Sequence, residues 1–152
     1  MLKLSKKTDY AIILLSHLGG AKDPISAHEI SKCYGLPYPM VANILKKLVS
    51  SGLIKSTRGQ LGGYVLARLS DEISLLDIIN STDTPFKLVE CCSDEDLCKV
   101  LQCCPTRDPL IALHDRIKSF FEKTKLSEII RDVNLNFKIE GSINETTYLS
   151  RL

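Results

Sequence analysis

Residues 53–68, LIKSTRGQLGGYVLAR, decide the fold, because two short β-prone runs flank a glycine-rich, basic tip. This pattern is typical of a β-hairpin, in which glycines permit a tight reversal of the chain. A phosphate-binding nucleotide loop is the alternative interpretation of so many glycines. That loop ends in Lys followed by Ser or Thr and precedes a helix, whereas the tip Arg58–Gly63 does neither. The stretch therefore predicts a β-hairpin.

Three amphipathic segments precede the hairpin. The first repeats apolar residues at helical spacing over residues 8–18 and ends at a pair of glycines. The second begins with the capping box Ser26–Glu29 and ends at Gly35, while the third opens at Pro37 and ends at Gly52. Three helices followed by a hairpin predict a winged helix-turn-helix, a mainly α fold. Its third helix would enter the major groove of DNA, and its wing would lie along the backbone or the minor groove.

The C-terminal half adds a short helix over residues 70–79 and a long helix that starts at Asp108-Pro109. The aspartate is expected to cap this long helix, with the proline at its first position. Four apolar residues then recur at 3-4-3 spacing and form a heptad-like seam: Leu110, Leu113, Ile117 and Phe120. The seam either packs onto its own domain or makes this the dimerisation helix of a homodimer that reads a palindromic site.

These elements divide the chain into four segments. Residues 1–80 are expected to form the winged-helix DNA-binding domain, and residues 81–108 a cysteine-bearing loop. Residues 109–133 would contain the dimerisation helix and a short terminal helix, and residues 134–152 a flexible tail.

Charge is distributed unevenly along the 152 residues. Residues 1–70 carry ten Lys/Arg and three Asp/Glu, a net charge of +7, whereas residues 71–152 carry ten and fifteen, a net of −5. A basic front half favours a polyanion such as nucleic acid, although an ordinary solvated face is the alternative. The longest apolar runs are too short to span a bilayer, and no secretory signal opens the chain, so we expect a cytoplasmic protein.

Five of the six cysteines lie within residues 91–104. In a reducing compartment such a group indicates metal binding or redox chemistry before a disulfide framework. The spacing Cys92-x5-Cys98-x5-Cys104 makes larger steps than the Cys-x2-Cys pairs typical of structural zinc, and it suits an iron–sulfur cluster. Zinc and a thiol–disulfide switch remain open as alternatives.

The other candidate ligands and nucleophiles favour ordinary structural roles. Cys33 shares an apolar helical face with Ile30, so we expect it to be a small core residue. His17, His28 and His114 are interpreted as ordinary surface or core histidines. No cysteine–histidine pairing has a recognisable catalytic context, so the sequence does not predict an enzyme.

Three stretches of the chain, together with the spaced cysteines and the helix after them, resemble the Rrf2 family of bacterial winged-helix regulators. The stretches are LSKKTDYA at residues 4–11, GLIKSTRG at residues 52–59 and GGYVLA at residues 62–67. The resemblance covers roughly residues 1–133. The opening stretch most resembles the subgroup of SUF-system regulators, which implies a repressor that controls iron–sulfur cluster assembly genes.

The resemblance also implies a set of cluster ligands. Cys92, Cys98 and Cys104 match the family cysteines that hold a [2Fe-2S] or [4Fe-4S] cluster. Members of one subfamily use a histidine three positions after the third cysteine, but Arg107 stands there and cannot ligate. Members of another take an aspartate from the partner subunit's first helix, and Asp9 matches that position.

Two further cysteines compete with the aspartate as fourth ligand. Cys91 and Cys103 adjoin the triad and would complete an all-cysteine site. The alternative role of Asp9 is that of an acid near a helix N-terminus, where it favours the helix dipole.

The DNA contacts are expected from the third helix and the wing tip. Asn43 suits bidentate reading of adenine, Lys46 and Lys47 suit phosphates, and Arg58 suits the minor groove. Glycines at the tip would permit close approach to the DNA backbone. The full set of candidates is Tyr38, Asn43, Lys46, Lys47, Arg58, Gly59, Gly62 and Gly63.

Overall fold

The helices and the hairpin follow one another in the predicted order in a computed structural model that describes residues 3–59, 62–83, 85–89 and 103–131. In chain order the elements are α1 (Lys6–Gly20), α2 (Ala27–Tyr34), α3 (Tyr38–Ser50), β1 (Ile54–Thr57), β2 (Gly63–Leu66), α4 (Leu75–Thr82) and α5 (Arg107–Lys123). Residues 126–131 are also helical. The mainly α winged helix-turn-helix is thus confirmed.

The turn between α2 and α3 is built from local signals. The Ser26 hydroxyl accepts from the Glu29 N–H at 3.2 Å, and the Glu29 carboxylate accepts from the Ser26 N–H at 2.8 Å. This confirms the capping box. Gly35 ends α2 with φ of 62°, a left-handed conformation that favours glycine and turns the chain into α3.

The hydrophobic core lies between α1, α2, α3 and the start of the hairpin, with one side closed by α4. Helix α3 contributes its whole inner face. The fully buried large side chains include Leu14, Leu15, Ile30, Val41, Leu45, Leu48, Leu53, Ile54, Ile73, Ile78 and Leu126.

The expectation that Cys33 belongs to this core is wrong, because its side chain is exposed. The buried face of α2 is formed by Ala27 and Ile30, with Tyr34 packed at its edge. At about 100° per residue these three lie within one arc, and Cys33 points about 95° away from its centre.

The wing is a two-stranded antiparallel hairpin with Ile54 opposite Leu66 and Thr57 opposite Gly63. A third segment, the connection between α1 and α2, also pairs with it. The Ile25 N–H donates to the Tyr64 carbonyl at 3.1 Å, and the Tyr64 N–H donates to the Ile25 carbonyl at 2.8 Å. The α1–α2 connection therefore anchors the wing to the helical core.

Two predicted helix starts are shifted in the structure. Helix α4 begins at Leu75 rather than residue 70, because Ser74 and Asp77 form the capping box that fixes its first turn. Helix α5 begins at Arg107 after Thr106, so Asp108 lies within the first turn instead of capping it. After α5 the chain returns to the start of α4, where Leu75 N–H donates to the Thr124 carbonyl at 2.9 Å.

A polar network joins the first turn of α1 to the end of α4. The hydroxyls of Thr8 and Thr82, each only 1% exposed, are 2.8 Å apart, and Thr8 donates to the Asp83 carboxylate at 2.8 Å. Hydrogen bonds from the Ser5 hydroxyl and then from Thr8, with positive charge nearby, hold the pKa of Asp83 below its ordinary 3.8 against the opposing effect of burial.

We expect Asp83→Asn to lower the free energy of unfolding at pH 7 by about 1 kcal/mol, because charge-assisted hydrogen bonds are lost. The folded-state pKa is depressed, so this stabilisation is complete above 3.8 and is lost as pH falls through the lower folded value. Urea unfolding should show the difference from wild type shrinking below that pH. Asp71→Asn, at an exposed position, is the control. A difference that is constant from pH 7 to pH 3 would contradict the assignment.

Candidate nucleic-acid interface and cysteine region

The outer face of α3 presents the predicted DNA-contacting residues to solvent. Tyr38 is 51% exposed at the first position of the helix, and Asn43 and Lys46 are exposed along it. Their orientation follows from the opposite face, which is buried against the core. An exposed helix of this kind, carried by a rigid three-helix unit, has the placement that major-groove reading requires.

Lys47 is placed differently from its neighbour Lys46. It is half-buried, and its ammonium group donates to the carbonyl oxygen of Thr82 at 2.6 Å. That carbonyl belongs to the last residue of α4, where helices leave acceptors unsatisfied. Lys47 thus connects α3 to α4, whereas Lys46 faces solvent.

The wing tip presents Arg58 to solvent, next to Gly59 with φ of 122°. The two following glycines serve internal packing. A Cβ atom at Gly62 would lie 2.5 Å from the Thr57 carbonyl oxygen, and one at Gly63 would lie 2.6 Å from the Ile25 backbone. Both distances are shorter than real side chains allow, so the shape of the hairpin itself requires these glycines.

The sequence analysis did not identify His28 as an exposed neighbour of Tyr38 at the start of α3. Its ring lies 6.3 Å from that of Tyr38, and both residues are exposed in the first turns of α2 and α3. The position of each residue in its helix could have indicated that the two are neighbours, because each follows an N-terminal cap by one or two residues.

The stretch of sequence that forms this face carries only basic charges. Residues 30–70 contain no Asp or Glu but carry Lys32, Lys46, Lys47, Lys55, Arg58 and Arg68. This stretch includes all of α3 and the wing, although Arg68 pairs with Asp77 at 3.8 Å. An excess of positive charge of this kind favours a phosphate backbone.

The described part of the cysteine region shows one thiol prepared for ionisation. The sulfur of Cys104 lies 3.4 Å from the Thr106 hydroxyl, just before α5. Hydrogen bonds from Thr106, followed by a backbone bond and the positive charge of Arg107, lower the pKa of Cys104. Cys103 is exposed beside it. No pattern in the sequence indicates the contact between Thr106 and Cys104.

The other predicted ligands are only partly placed. Cys91, Cys92 and Cys98 lie outside the described residues. Asp9 is exposed in the first turn of α1, directly after the buried Thr8. Among residues 3–59, 62–83, 85–89 and 103–131, no group of three or more metal-ligating side chains converges.

The segment that leads into the cysteine region is anchored on α5. The Phe86 ring stacks on His114 at 5.2 Å and meets Phe121 edge-on at 5.1 Å. The Leu88 N–H donates to His114 Nδ1 at 3.3 Å. His114 is therefore a buried structural histidine, in line with the interpretation from sequence.

The apolar seam of α5 contains side chains that differ in their exposure to solvent. Leu110 and Ile117 are half-buried, whereas Leu113 is 45% and Phe120 is 64% exposed. One side of the helix packs on its own domain, and the other leaves these two apolar side chains exposed. In the part of the chain that the structure describes, no helix is long and apolar enough to cross a membrane.

A family model described as Rrf2, iron-dependent transcriptional regulator, matches residues 4–132. A putative HTH-type transcriptional regulator of Haemophilus influenzae is 31% identical over 145 residues, which cover 94% of this chain and 96% of the relative. The solved structure of CymR from B. subtilis, described as the global cysteine regulator, has a TM-score of 0.67 at 26% identity, covering 86% of this chain and 98% of that one. T. potens IscR has a TM-score of 0.66 at 25% identity, covering 97% and 96%.

We expect Gly63→Ala to lower the free energy of unfolding by about 1–3 kcal/mol, because the added methyl group would displace the backbone of Ile25. Denaturant unfolding measures this. Gly20→Ala is the control, since a Cβ there meets nothing within 4 Å. Wild-type stability of the Gly63 variant would show that the wing is not anchored as described.

Proposed function

Because the chain belongs to the Rrf2 family of transcriptional regulators, we propose that it represses promoters as a homodimer whose affinity for DNA is controlled by an iron–sulfur cluster. The protein is a regulator and not an enzyme, because the family and its members are named as transcriptional regulators. We propose that the protein acts in the cytoplasm, because that is where a bacterial regulator meets promoter DNA.

The exposed face of α3 and the wing support double-stranded DNA as the partner. Asn43 is assigned to base reading, Lys46 to phosphate, and Arg58 to the minor groove. The absence of Asp and Glu from residues 30–70 supports this assignment, since no carboxylate of that stretch opposes the phosphates. Lys47 is left out of the contact set because it binds the Thr82 carbonyl.

The exposed side of α5 supports a homodimer. Leu113 and Phe120 present apolar surface on the same helix that packs onto the winged-helix unit. Two DNA-binding units related by a two-fold axis would read a palindromic site.

The single observation that carries the cluster proposal is the position of Cys104, whose sulfur lies 3.4 Å from the Thr106 hydroxyl just before α5. Thiolate, not thiol, binds iron, so a cysteine whose pKa is lowered by Thr106 and Arg107 fits the donor chemistry. Cys92, Cys98 and Cys104 are proposed as three ligands. When bound, a [2Fe-2S] or [4Fe-4S] cluster would supply a crosslink that depends on iron and redox state.

Asp9 of the second subunit is proposed as the fourth ligand, because it is exposed on α1. Cys91 and Cys103 are its rivals. The resemblance of the opening stretch to SUF-system regulators supports cluster assembly genes as the targets.

A second candidate is a regulator without a cluster, switched by thiol oxidation or by zinc. The exposed Cys103 beside Cys104, whose pKa is lowered, favours it. A low-pKa, accessible thiol with a neighbouring cysteine is the arrangement found in redox sensors.

Anaerobic purification should give a brown protein with broad absorbance at roughly 400 nm and near-equal iron and sulfide. Cys98→Ala and Cys104→Ala should abolish the colour because each removes a ligand. Cys33→Ala, which removes an exposed cysteine of α2, should retain it. A colourless wild type with one zinc per chain, or with DNA affinity that follows thiol oxidation alone, would establish the second candidate instead.

Asp9→Ala should accelerate loss of the absorbance in air without changing the helical circular dichroism, because the carboxylate ligand is removed. Asp71→Ala, at an exposed position, controls for lost negative charge. Unchanged decay would transfer the assignment to Cys91 or Cys103.

Arg58→Ala should weaken DNA binding and reduce the slope of log affinity against log salt by about one. Fluorescence anisotropy across a salt series measures both. Lys118→Ala, at an exposed position of α5, should change neither. A wild-type affinity that does not depend on salt would contradict the electrostatic basis of the interface.

A further inference from the structure

We propose that four residues, Lys47, Thr82, Thr8 and Asp83, form a polar relay that couples the cysteine region to α3. This inference rests on the proposed function, since it names the regulation of the same DNA-binding face. Lys47 and Thr8 act as positioning residues in it and do not themselves touch DNA or iron.

The core of the polar relay is a pair of buried hydroxyls beside a carboxylate. Thr8 lies 2.8 Å from both the Asp83 carboxylate and the Thr82 hydroxyl. An ionised carboxylate only accepts, so the single proton of Thr8 goes to Asp83. Thr8 is then the nearest acceptor for the Thr82 proton, and the carbonyl oxygens of Ile78 and Ile79, each 3.2 Å from the Thr82 hydroxyl, compete for it.

The output end of the polar relay is Lys47 of α3. Its ammonium group donates to the backbone carbonyl of Thr82 at 2.6 Å. Thr82 is therefore bonded to α3 through its carbonyl oxygen and to α1 through its hydroxyl group. A displacement of Thr82 therefore acts directly on the last turn of α3, one residue from the exposed Lys46.

The input end of the polar relay lies where the parts of the cysteine region meet the fold. Thr8 directly precedes Asp9, the proposed ligand. Asp83 leads into residues 85–89, and Phe86 in that segment stacks on His114 of α5 at 5.2 Å. Helix α5 begins three residues after Cys104. Thr8 adjoins Asp9 in the sequence, and Asp83 lies two residues before the segment that Phe86 anchors on α5, so both ends of the hydroxyl–carboxylate group lie next to these parts.

The two buried hydroxyls of the polar relay restrict it to a small number of hydrogen-bonded arrangements. Thr8 and Thr82 are each 1% exposed, so neither hydroxyl can exchange its partner for bulk water without cost. Such a network keeps one complete arrangement or changes to another. Couplings of this kind alter affinity by about 5- to 150-fold.

Spatial continuity alone does not demonstrate coupling, so the test is a double-mutant cycle on the full chain. Thr8→Val, Lys47→Met and the double variant are compared for binding to a duplex selected by the wild-type protein from a random-sequence pool. We expect non-additive losses, with a coupling factor of at least about threefold. Thr8→Ser should keep wild-type coupling because it retains the hydroxyl.

Lys46→Met is the matched control because it removes the same charge from the neighbouring residue. Its effect should add to that of Thr8→Val, since Lys46 is exposed. If the effects of Lys47→Met and Thr8→Val on DNA affinity were also strictly additive, the polar relay would be overturned.

Amide hydrogen exchange provides a readout that needs no DNA. Thr8→Val should speed exchange in the last turn of α3, residues 47–50, and leave the first turn of α2 unchanged. Wild-type exchange rates in that turn would overturn the proposal even if the variant binds DNA normally.

A comparison of cluster states separates this inference from the proposed function. If wild-type affinity differs between anaerobically isolated and iron-stripped protein, Thr8→Val should bring that ratio towards one while retaining its absorbance. An unchanged ratio in the variant overturns the polar relay. A wild-type ratio of one overturns the cluster proposal, and the double-mutant cycle then decides the polar relay by itself.

Discussion

The burial of one face of α3 is the constraint on which the DNA-binding surface depends. Val41, Ile44, Leu45 and Leu48 are at most 3% exposed, and each contributes about 1.5–3 kcal/mol by leaving water. Rotating α3 about its axis would expose these side chains, so the same energy that folds the domain also fixes the orientation of Asn43 and Lys46. The interface needs no separate device to hold it outward. Only small changes of position remain available for regulation.

Local signals made much of the fold predictable, and tertiary contacts account for the exceptions. The capping box at Ser26 and the left-handed Gly35 depend on neighbours within a few residues, so the sequence was sufficient. Cys33 failed because the buried arc of a two-turn helix is set by the elements packed against it. The contact of Lys47 with Thr82 was not predictable for a similar reason: Thr82 is 35 residues away and carries no sequence signal of the contact.

The candidate ligands show a different limit of sequence reasoning. The spacing of the cysteines was informative about metal chemistry, but the lowered pKa of Cys104 depends on Thr106 and the start of α5. An activated thiolate serves iron binding and thiol oxidation equally well. Iron binding requires several thiolates at one point, whereas thiol oxidation requires only a reactive pair. The lowered pKa of a single thiol therefore does not distinguish the two functions. Solved structures described as IscR and as CymR are accordingly both similar to this fold.

The glycines of the wing argue for a preformed contact with DNA. Gly63 lies against the backbone of Ile25, and Ile25 exchanges two hydrogen bonds with Tyr64. The hairpin is thus held at its base by the connection between α1 and α2. A tip that is fixed in this way loses less conformational entropy on binding than a free loop, so more of the charge interaction proposed for Arg58 would become affinity. The glycines support DNA binding by shaping the protein, and direct contact with the duplex is not required of them.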